Sequence, residues 1–402
     1  MAYASVSGYF YLAEEVVKEV IAMRKFVAPE LIFGVGSSLL AGQYAENFGV
    51  KKALIVTDPG IVNCSWVSEV QDSLHKGGVE TVLFSDVSEN PRDVEVMKGA
   101  ELYMETGCDC IVAVGGGSPM DCAKGIGIVT TNNAHILSFE GVDMVEVPGP
   151  PLICIPTTAG SSADVSQFAI ITDTKRDVKI SIVSKAMVPD AALIDPKLTT
   201  TMDLSLTAAT GLDALTHAME AYVSNANSAL TDLLALDAIK LVSRYLVKAI
   251  NDPENIELRG YVMLGSMQAG LAFSNAILGA VHAMAHSLGG HLDLPHGECN
   301  AILLPYVIKA NFSSAAERYT RVAEALGLDV AGKSSDEVCE FLVQGVIDLR
   351  RAAGITKSLK DFGLVKDEIP KLAKLALNDA CMVTNPVELT QGDVESIYEA
   401  AL

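Results

Sequence analysis

The stretch CIVAVGGGSPMDCAKGIG, residues 110–127, most constrains what this chain can fold into. It opens on an apolar run of the kind found in strands buried on both faces. The run ends in Gly115, Gly116 and Gly117, and residues 119–130 follow with a helical pattern. A strand that passes through glycines into a helix belongs to a parallel sheet with helical crossovers. The glycines let the backbone approach a ligand without Cβ contacts. The N–H groups opening the helix would face that ligand and favour an anion, most naturally a phosphate. A tight strand-to-helix turn needs no ligand, but three glycines followed by Ser118-Pro119 exceed what a turn requires. The stretch is not the G-x-G-x-x-G fingerprint. Gly34-Val35-Gly36 comes nearer but breaks at Leu39, and a lone G-x-G carries little weight.

The flanking sequence repeats the alternation. LIFGV (31–35), KKALIVTD (51–58), ETVLFSDV (80–87) and PLICIPTT (151–158) read as strands, and 61–77 and 91–106 as helices. FAIITDTKRDVKISIV (168–183) reads as a hairpin around a polar turn. After about residue 200 the texture becomes helical throughout, including 314–326, 335–352 and 366–378. The expected organisation is an α/β dinucleotide-binding domain over 1–198, a parallel sheet with helices on both faces, and an all-α domain over 199–402. The cleft between them is the default ligand site. Leu12, Val16, Val20 and Met23 fall on one face of an amphipathic helix, packed on its own domain or forming a dimer contact.

The chain has 402 residues, half of them hydrophobic, and a net charge of -21. That charge repels phosphate backbones and anionic membrane surfaces, so neither nucleic acid nor membrane is an expected partner. No apolar run approaches the ~20 residues of a bilayer span. The N-terminus lacks a basic region followed by an apolar core, and a cytoplasmic protein is expected. The eight cysteines are scattered without a C-x-x-C pair, which suits reduced, mostly buried thiols.

A second polar loop, TTAGSSAD (157–164), also follows a strand and offers the hydroxyls of Thr157, Thr158 and Ser161. Two such loops on one sheet suit the two ends of a dinucleotide. Asp58 ends the ALIVTD strand. A carboxylate there could bind both hydroxyls of an adenosine ribose and repel a 2′-phosphate, favouring NAD over NADP. The alternative is a turn-forming Asp in TDPG, which the following Pro and Gly support.

Four of the seven histidines, His282, His286, His291 and His296, lie within fifteen residues. His282 and His286 are spaced i, i+4 and share a helix face, as do Asp213 and His217. His296 follows Pro295 in what reads as a loop. A lone core histidine is usually bonded to backbone. A carboxylate with several imidazoles instead suits Fe²⁺ or Zn²⁺.

These stretches carry a resemblance. GGGSPMDCAKGIG, PTTAGSSAD, ITDTKRDVKISIV, LTAATGLDALTHAMEAYVS, GAVHAMAHSLGG, LPHGECNAILLP and NDACMVTNP resemble the iron-containing (group III) alcohol dehydrogenases, from about residue 26 to the C-terminus. The resemblance implies a dehydroquinate synthase-like two-domain architecture with a metal in the cleft, held by Asp213, His217, His282 and His296. It puts NAD over Gly116, Gly117 and Ser118, with Asp58, Asp121, Thr157, Thr158 and Lys179 contributing. His286 would sit beside nicotinamide and substrate as a proton relay. The implied reaction is hydride transfer between a primary alcohol or short diol and NAD, with Fe²⁺ or Zn²⁺ polarising the substrate oxygen. Homodimers or larger homo-oligomers are implied.

The sequence departs from that family's usual pattern in four places. Some 22 residues precede the resemblance, and TTAGSSAD replaces a TTAGTGSE-like loop. His291 stands where an aromatic residue is common and Glu298 where an apolar one is. These two either change the pocket's polarity or are exposed polar residues. A polyol or glycerol dehydrogenase, a dehydroquinate synthase-like lyase, and a regulatory or scaffolding member with little turnover are the alternatives. The lyases usually carry Glu where Asp213 stands.

Overall fold

The apolar runs of the first half become one six-stranded parallel sheet in the computed structural model, which describes residues 25–292 and 294–402. The amphipathic helix expected around Leu12 to Met23 lies outside the described residues. The sheet is built from β1 (Glu30–Phe33), β2 (Lys52–Val56), β3 (Glu80–Phe84), β4 (Cys110–Gly115), β6 (Leu152–Pro156) and β9 (Ala191–Ile194), in the order β1-β9-β6-β4-β2-β3. The four inner strands are buried almost without interruption, whereas edge strands β1 and β3 alternate with exposed positions. That is what helical layers on both faces impose on inner strands.

Side chains of period two divide between two layers. Leu54, Val56, Ile111, Ala113 and Cys154 pack with Val96, Ala100, Ala123 and Ile126 of α3 (Asp93–Thr106) and α4 (Gly117–Asn132). Ala53, Ile55, Val112, Val114 and Ile153 face the other way, onto Ala45, Val67, Val70 and Leu74 of α1 (Ala41–Asn47) and α2 (Ser65–Lys76).

From β2 the chain moves outward to β3 through α2 and returns through α3 to β4 on β2's other side. The order reverses between β2 and β4, and ligands of open α/β sheets bind at such a point, beyond the carboxyl ends of the strands. Asp58 follows β2 there, and the three glycines end β4.

The expected hairpin is present: β7 (Phe168–Asp173) and β8 (Val178–Val183) pair antiparallel, with Thr172 opposite Lys179. Asp173 closes its turn by accepting from the Lys175 and Arg176 amides at 2.9 and 3.2 Å. The short strand β5 (Gly141–Val142) joins β8, completing a separate three-stranded sheet.

Helices follow: α5 (Leu204–Val223), α6 (Ala229–Asn251), α7 (Ile256–Ala276), α8 (Ala280–Leu292), α9 (His296–Asn311), α10 (Ala316–Leu326), α11 (Ser335–Ala352), α12 (Ile369–Leu377) and α13 (Gln391–Ala401). Asp203, Ser228 and Asn255 cap α5, α6 and α7 by accepting a first-turn amide, which satisfies a donor with no partner inside the helix. From Gly211 to Val223 every residue of α5 is buried, so its polar side chains Asp213, His217 and Glu220 are enclosed too. Among the described residues no single helix is long and apolar enough to cross a membrane.

One expectation is corrected. His296 opens α9 instead of lying in a loop. Pro295 precedes that helix, where it has no helical N–H to lose, and Pro305 sits inside it, interrupting the pattern by which a helix is read.

Candidate active site

Asp213 and His217 lie one turn apart on α5, His282 comes from α8, and His296 starts α9. Asp213 is the centre of the group. Its Oδ1 lies 3.6 Å from His282 Nε2 and 3.8 Å from His296 Nε2, and its Oδ2 lies 3.9 Å from His217 Nδ1. One donor atom each from Asp213, His217 and His282 falls within 4.8 Å of the other two. Asp213, His217 and His282 are buried, and His296 is partly open.

Burial alone would raise the Asp213 carboxyl, but His217, His282 and His296 hold it far below the usual carboxylate range. Burial pushes His217 down to about 3 against the pull of Asp213. It also takes His296 well below the ordinary imidazole value. At His282 burial is outweighed by Asp213 and Glu220, which raise its pKa to about 9, so a metal taking its Nε2 displaces a proton.

The surroundings fix these side chains. His282 Nδ1 lies 2.6 Å from Glu220 Oε2, while Glu220 Oε1 accepts from the Val281 amide at 2.6 Å. A carboxylate behind an imidazole sets its tautomer and strengthens it as a ligand. The His217 ring stacks on Phe273 and on His282, both at 4.4 Å between centroids. It also bonds to the Gly160 backbone, and its Nδ1 has no hydrogen-bond partner among the described residues. A buried bare nitrogen aimed at a buried carboxylate is what a cation would satisfy, so the residues fit a divalent metal.

His286 stands against this group, its ring stacked on His296 at 5.2 Å and edge-on to His282 at 6.2 Å. Its Nδ1 lies 2.8 Å from Asp379 Oδ2. Burial would raise the Asp379 carboxyl, yet His286 brings it to about 2. Asp379 also accepts from the Cys381 amide at 2.8 Å and from the Cys381 thiol.

The two loops meet at the sheet's carboxyl edge. Thr157 donates its amide to the Gly115 carbonyl at 2.9 Å. A Cβ on Gly116 would stand 3.2 Å from the Thr158 methyl, and one on Gly117 2.9 Å from Ser161 Cβ and Oγ. A side chain at 117 would thus force Ser161 to shift, and one at 116 would crowd Thr158. Gly116 is the N-cap of α4 and has no side chain to offer, so the first amides of that helix remain for another acceptor. The Thr157 hydroxyl is buried without a partner among the described residues.

Asp58 forms the turn foreseen as its alternative role. Its Oδ1 accepts from the Gly60 and Ile61 amides at 2.8 and 3.1 Å, forming the TDPG turn. Its Oδ2 lies 3.2 Å from where a Cβ on Gly115 would be, at the edge of the glycine loop. Asp121, one turn into α4, accepts from the Ile170 amide at 3.1 Å, and burial pushes its carboxyl up to about 6. Lys179 stands between the two groups: its Nζ donates to Asn90 Oδ1 at 2.8 Å and lies against Gly289 of α8, and its charge bears on both Asp121 and His296. His291 pairs with Glu368 at 3.0 Å, both partly exposed, and Glu298 lies in the first turn of α9.

Three residues at this site were not foreseen: Glu220, Asp379 and Asn300. Glu220 lies three residues after His217 on the same helix, a spacing that could have flagged it. Asp379 lies 93 residues from His286. Asn300 lies one turn after His296 and donates to Asp213 Oδ1 at 2.7 Å.

Residues 28–196 match the iron-containing alcohol dehydrogenases and residues 207–402 match that family's C-terminal part. The 1,3-propanediol dehydrogenase of Citrobacter freundii is 38% identical over 382 residues, covering 94% of this chain and 99% of that protein. The NAD-dependent methanol dehydrogenase of Bacillus methanolicus is 36% identical over 377 residues, covering 94% and 99%. The solved structure of an alcohol dehydrogenase from Oenococcus oeni superposes with a TM-score of 0.92 at 36% identity, covering 94% of this chain and all of that one.

Proposed function

Because the chain belongs to the iron-containing alcohol dehydrogenase family, we propose that it moves a hydride between a primary alcohol or short diol and NAD, at a divalent metal held by Asp213, His217, His282 and His296. The convergence of those four side chains on one buried carboxylate carries this reading. A packed core has no use for three imidazoles around a carboxylate. The donor set suits Fe²⁺ and Zn²⁺ alike. The short-alcohol class is supported by relatives named for 1,3-propanediol, methanol and lactaldehyde.

We assign residues 1–198 to the dinucleotide half and 199–402 to the metal half, with the site in the cleft between them. Gly116, Gly117 and Ser118 receive the pyrophosphate on the α4 amides, joined by Asp121, Thr157 and Thr158. Asp58 Oδ2 takes the ribose hydroxyls, and its charge selects NAD over NADP. Lys179, seated between Asn90 and α8, supports the nicotinamide side of the cleft.

When bound, the metal supplies Lewis-acid polarisation of the substrate oxygen. The chain's own residues do the rest. Glu220 keeps Nε2 of His282 turned inward. His286, held at Nδ1 by Asp379, presents its other nitrogen to the substrate and passes on the proton that leaves as the hydride departs from carbon. Burial of Asp213 and its partners keeps water away. We expect the chain to act in the cytoplasm as a homodimer or larger homo-oligomer.

The test is NADH formation from a panel of primary alcohols and short diols by protein loaded anaerobically with Fe²⁺, with His282→Ala alongside. Turnover by the wild type alone supports the reading. No turnover on any alcohol, with metal and NAD bound, moves it to a regulatory role.

A further inference from the structure

The chain turns by 99° between α7 and α8. Ile277 makes the corner with φ +63° and ψ −171°, a conformation otherwise left to glycine. A β-branched residue stays there only where its surroundings hold it. Two outside segments do so here. Ser224, at the end of α5, donates to the Ala276 carbonyl at 2.5 Å, and Thr384 donates to the Leu278 carbonyl at 2.6 Å. Gly279 precedes α8 and has no side chain to cap it, so the first amides of that helix need partners from elsewhere. Asn385 Oδ1 accepts from the Ala280 amide at 3.1 Å and Glu220 Oε1 from the Val281 amide at 2.6 Å. A Cβ on Gly279 would stand 3.0 Å from the first oxygen and 2.9 Å from the second, so both close tightly on the corner.

Asn385 is buried, and its carboxamide is fully bonded. Its Oδ1 also accepts from Asn311 Nδ2 at 2.8 Å, and its Nδ2 donates to Asn311 Oδ1 at 2.9 Å and to the Val387 carbonyl at 2.8 Å. The two asparagines thus face each other amide to amide, but of the two only Asn385 bonds to α8. It follows the short helical turn Ala380–Thr384, whose other end is Asp379, the partner of His286. One turn of chain therefore grips α8 at its first residue and again at His286, with His282 between. We propose that Asn385 is a positioning residue: through the Ala280 amide it fixes the start of α8 and so holds His282 in register with Asp213. The inference rests on the ligand set proposed above.

Co²⁺ tests it on the intact protein. Affinity is read by competition with a chromophoric chelator, and ligand geometry by the visible absorption of the bound ion. The variants are Asn385→Ala, Asn311→Ala, Asn385→Asp and His282→Ala, and thermal melting of the metal-free forms reports folding. Both asparagine-to-alanine variants leave a buried carboxamide without its partner, so a merely structural pair predicts equal effects. A positioning role predicts that Asn385→Ala binds Co²⁺ about tenfold more weakly with an altered spectrum, while Asn311→Ala stays within about threefold of wild type with the spectrum unchanged. Asn385→Ala weaker than Asn311→Ala and spectrally distinct from it supports the proposal. Equality of the two in either readout overturns it. If Asn385→Ala does not fold, Asn385→Asp decides, because a carboxylate keeps an acceptor for the Ala280 amide and suits a helix start. Affinity within about threefold of wild type then supports the proposal, and a larger loss overturns it. Unchanged affinity in His282→Ala would instead sink the ligand set itself.

Discussion

Glu220 and His282 are joined at 2.6 Å between Oε2 and Nδ1, on the side of the ring away from Asp213. The carboxylate is itself fixed by the Val281 amide, so ring and helix start are held together. Glu220→Gln keeps the shape but replaces an ionised acceptor with a neutral amide. Metal affinity should fall about 10- to 100-fold. Chelator competition measures this directly, and unchanged affinity would remove Glu220 from the site.

Asp379 stands to His286 as Glu220 stands to His282. Asp379→Asn should leave metal affinity unchanged, because His286 is not among the four proposed ligands. It should lower kcat by about tenfold or more through a misoriented imidazole, with little change in the KM for NAD. Steady-state kinetics at saturating metal separates this from a general loss of structure, which would move both constants.

Ser162 is a left-handed residue, φ +51°, and its hydroxyl donates to the Ser266 carbonyl of α7 at 2.7 Å. A left-handed non-glycine costs about 1 kcal/mol or more, and the bond returns roughly 1 kcal/mol. Ser162→Ala keeps the backbone cost and loses the bond, whereas Ser162→Gly loses both. Alanine should therefore destabilise by about 1 kcal/mol and glycine by less, read from urea midpoints. The reverse order would show that the backbone at this position carries no strain.

Asp164 is buried, and burial pushes its carboxyl from 3.8 up to about 6. Between those values the folded protein holds a proton that the unfolded chain has released. Stability therefore falls as pH rises through this window and levels off above about 6, by an amount on the order of 3 kcal/mol. Asp121, also raised to about 6, acts in the same direction. Asp164→Asn should make the decline between pH 4 and 6 shallower and raise stability at pH 7. Urea midpoints across that range check it, and an unaltered profile would refute the assignment.

The sheet was legible where strands are long and apolar, as in LICIP and CIVAVG. The strand β9 was not. AALI is four residues long and lies between Pro189-Asp190 and Asp195-Pro196, punctuation that reads as loop. Only its neighbours β1 and β6 make it a strand. Helix α9 was hidden by Pro305. At the site, Asp213, His217, His282 and His286 were visible because helical periodicity puts each pair on one face. Asp379 and Asn300 were invisible for the opposite reason. Asp379 reaches His286 only through the fold, and an asparagine announces no chemistry until its neighbours are known.

The His217 ring is tied to the Gly160 backbone, within the loop that also carries Thr157 and Thr158. One side of a single imidazole thus faces the metal donors and the other anchors the loop proposed to receive the dinucleotide. Whatever fixes that ring bears on the loop, so the proposed metal and dinucleotide sites share one support. If metal sharpens the protein's hold on NAD by some factor, NAD must sharpen its hold on metal by the same factor, because the two free energies form a closed cycle.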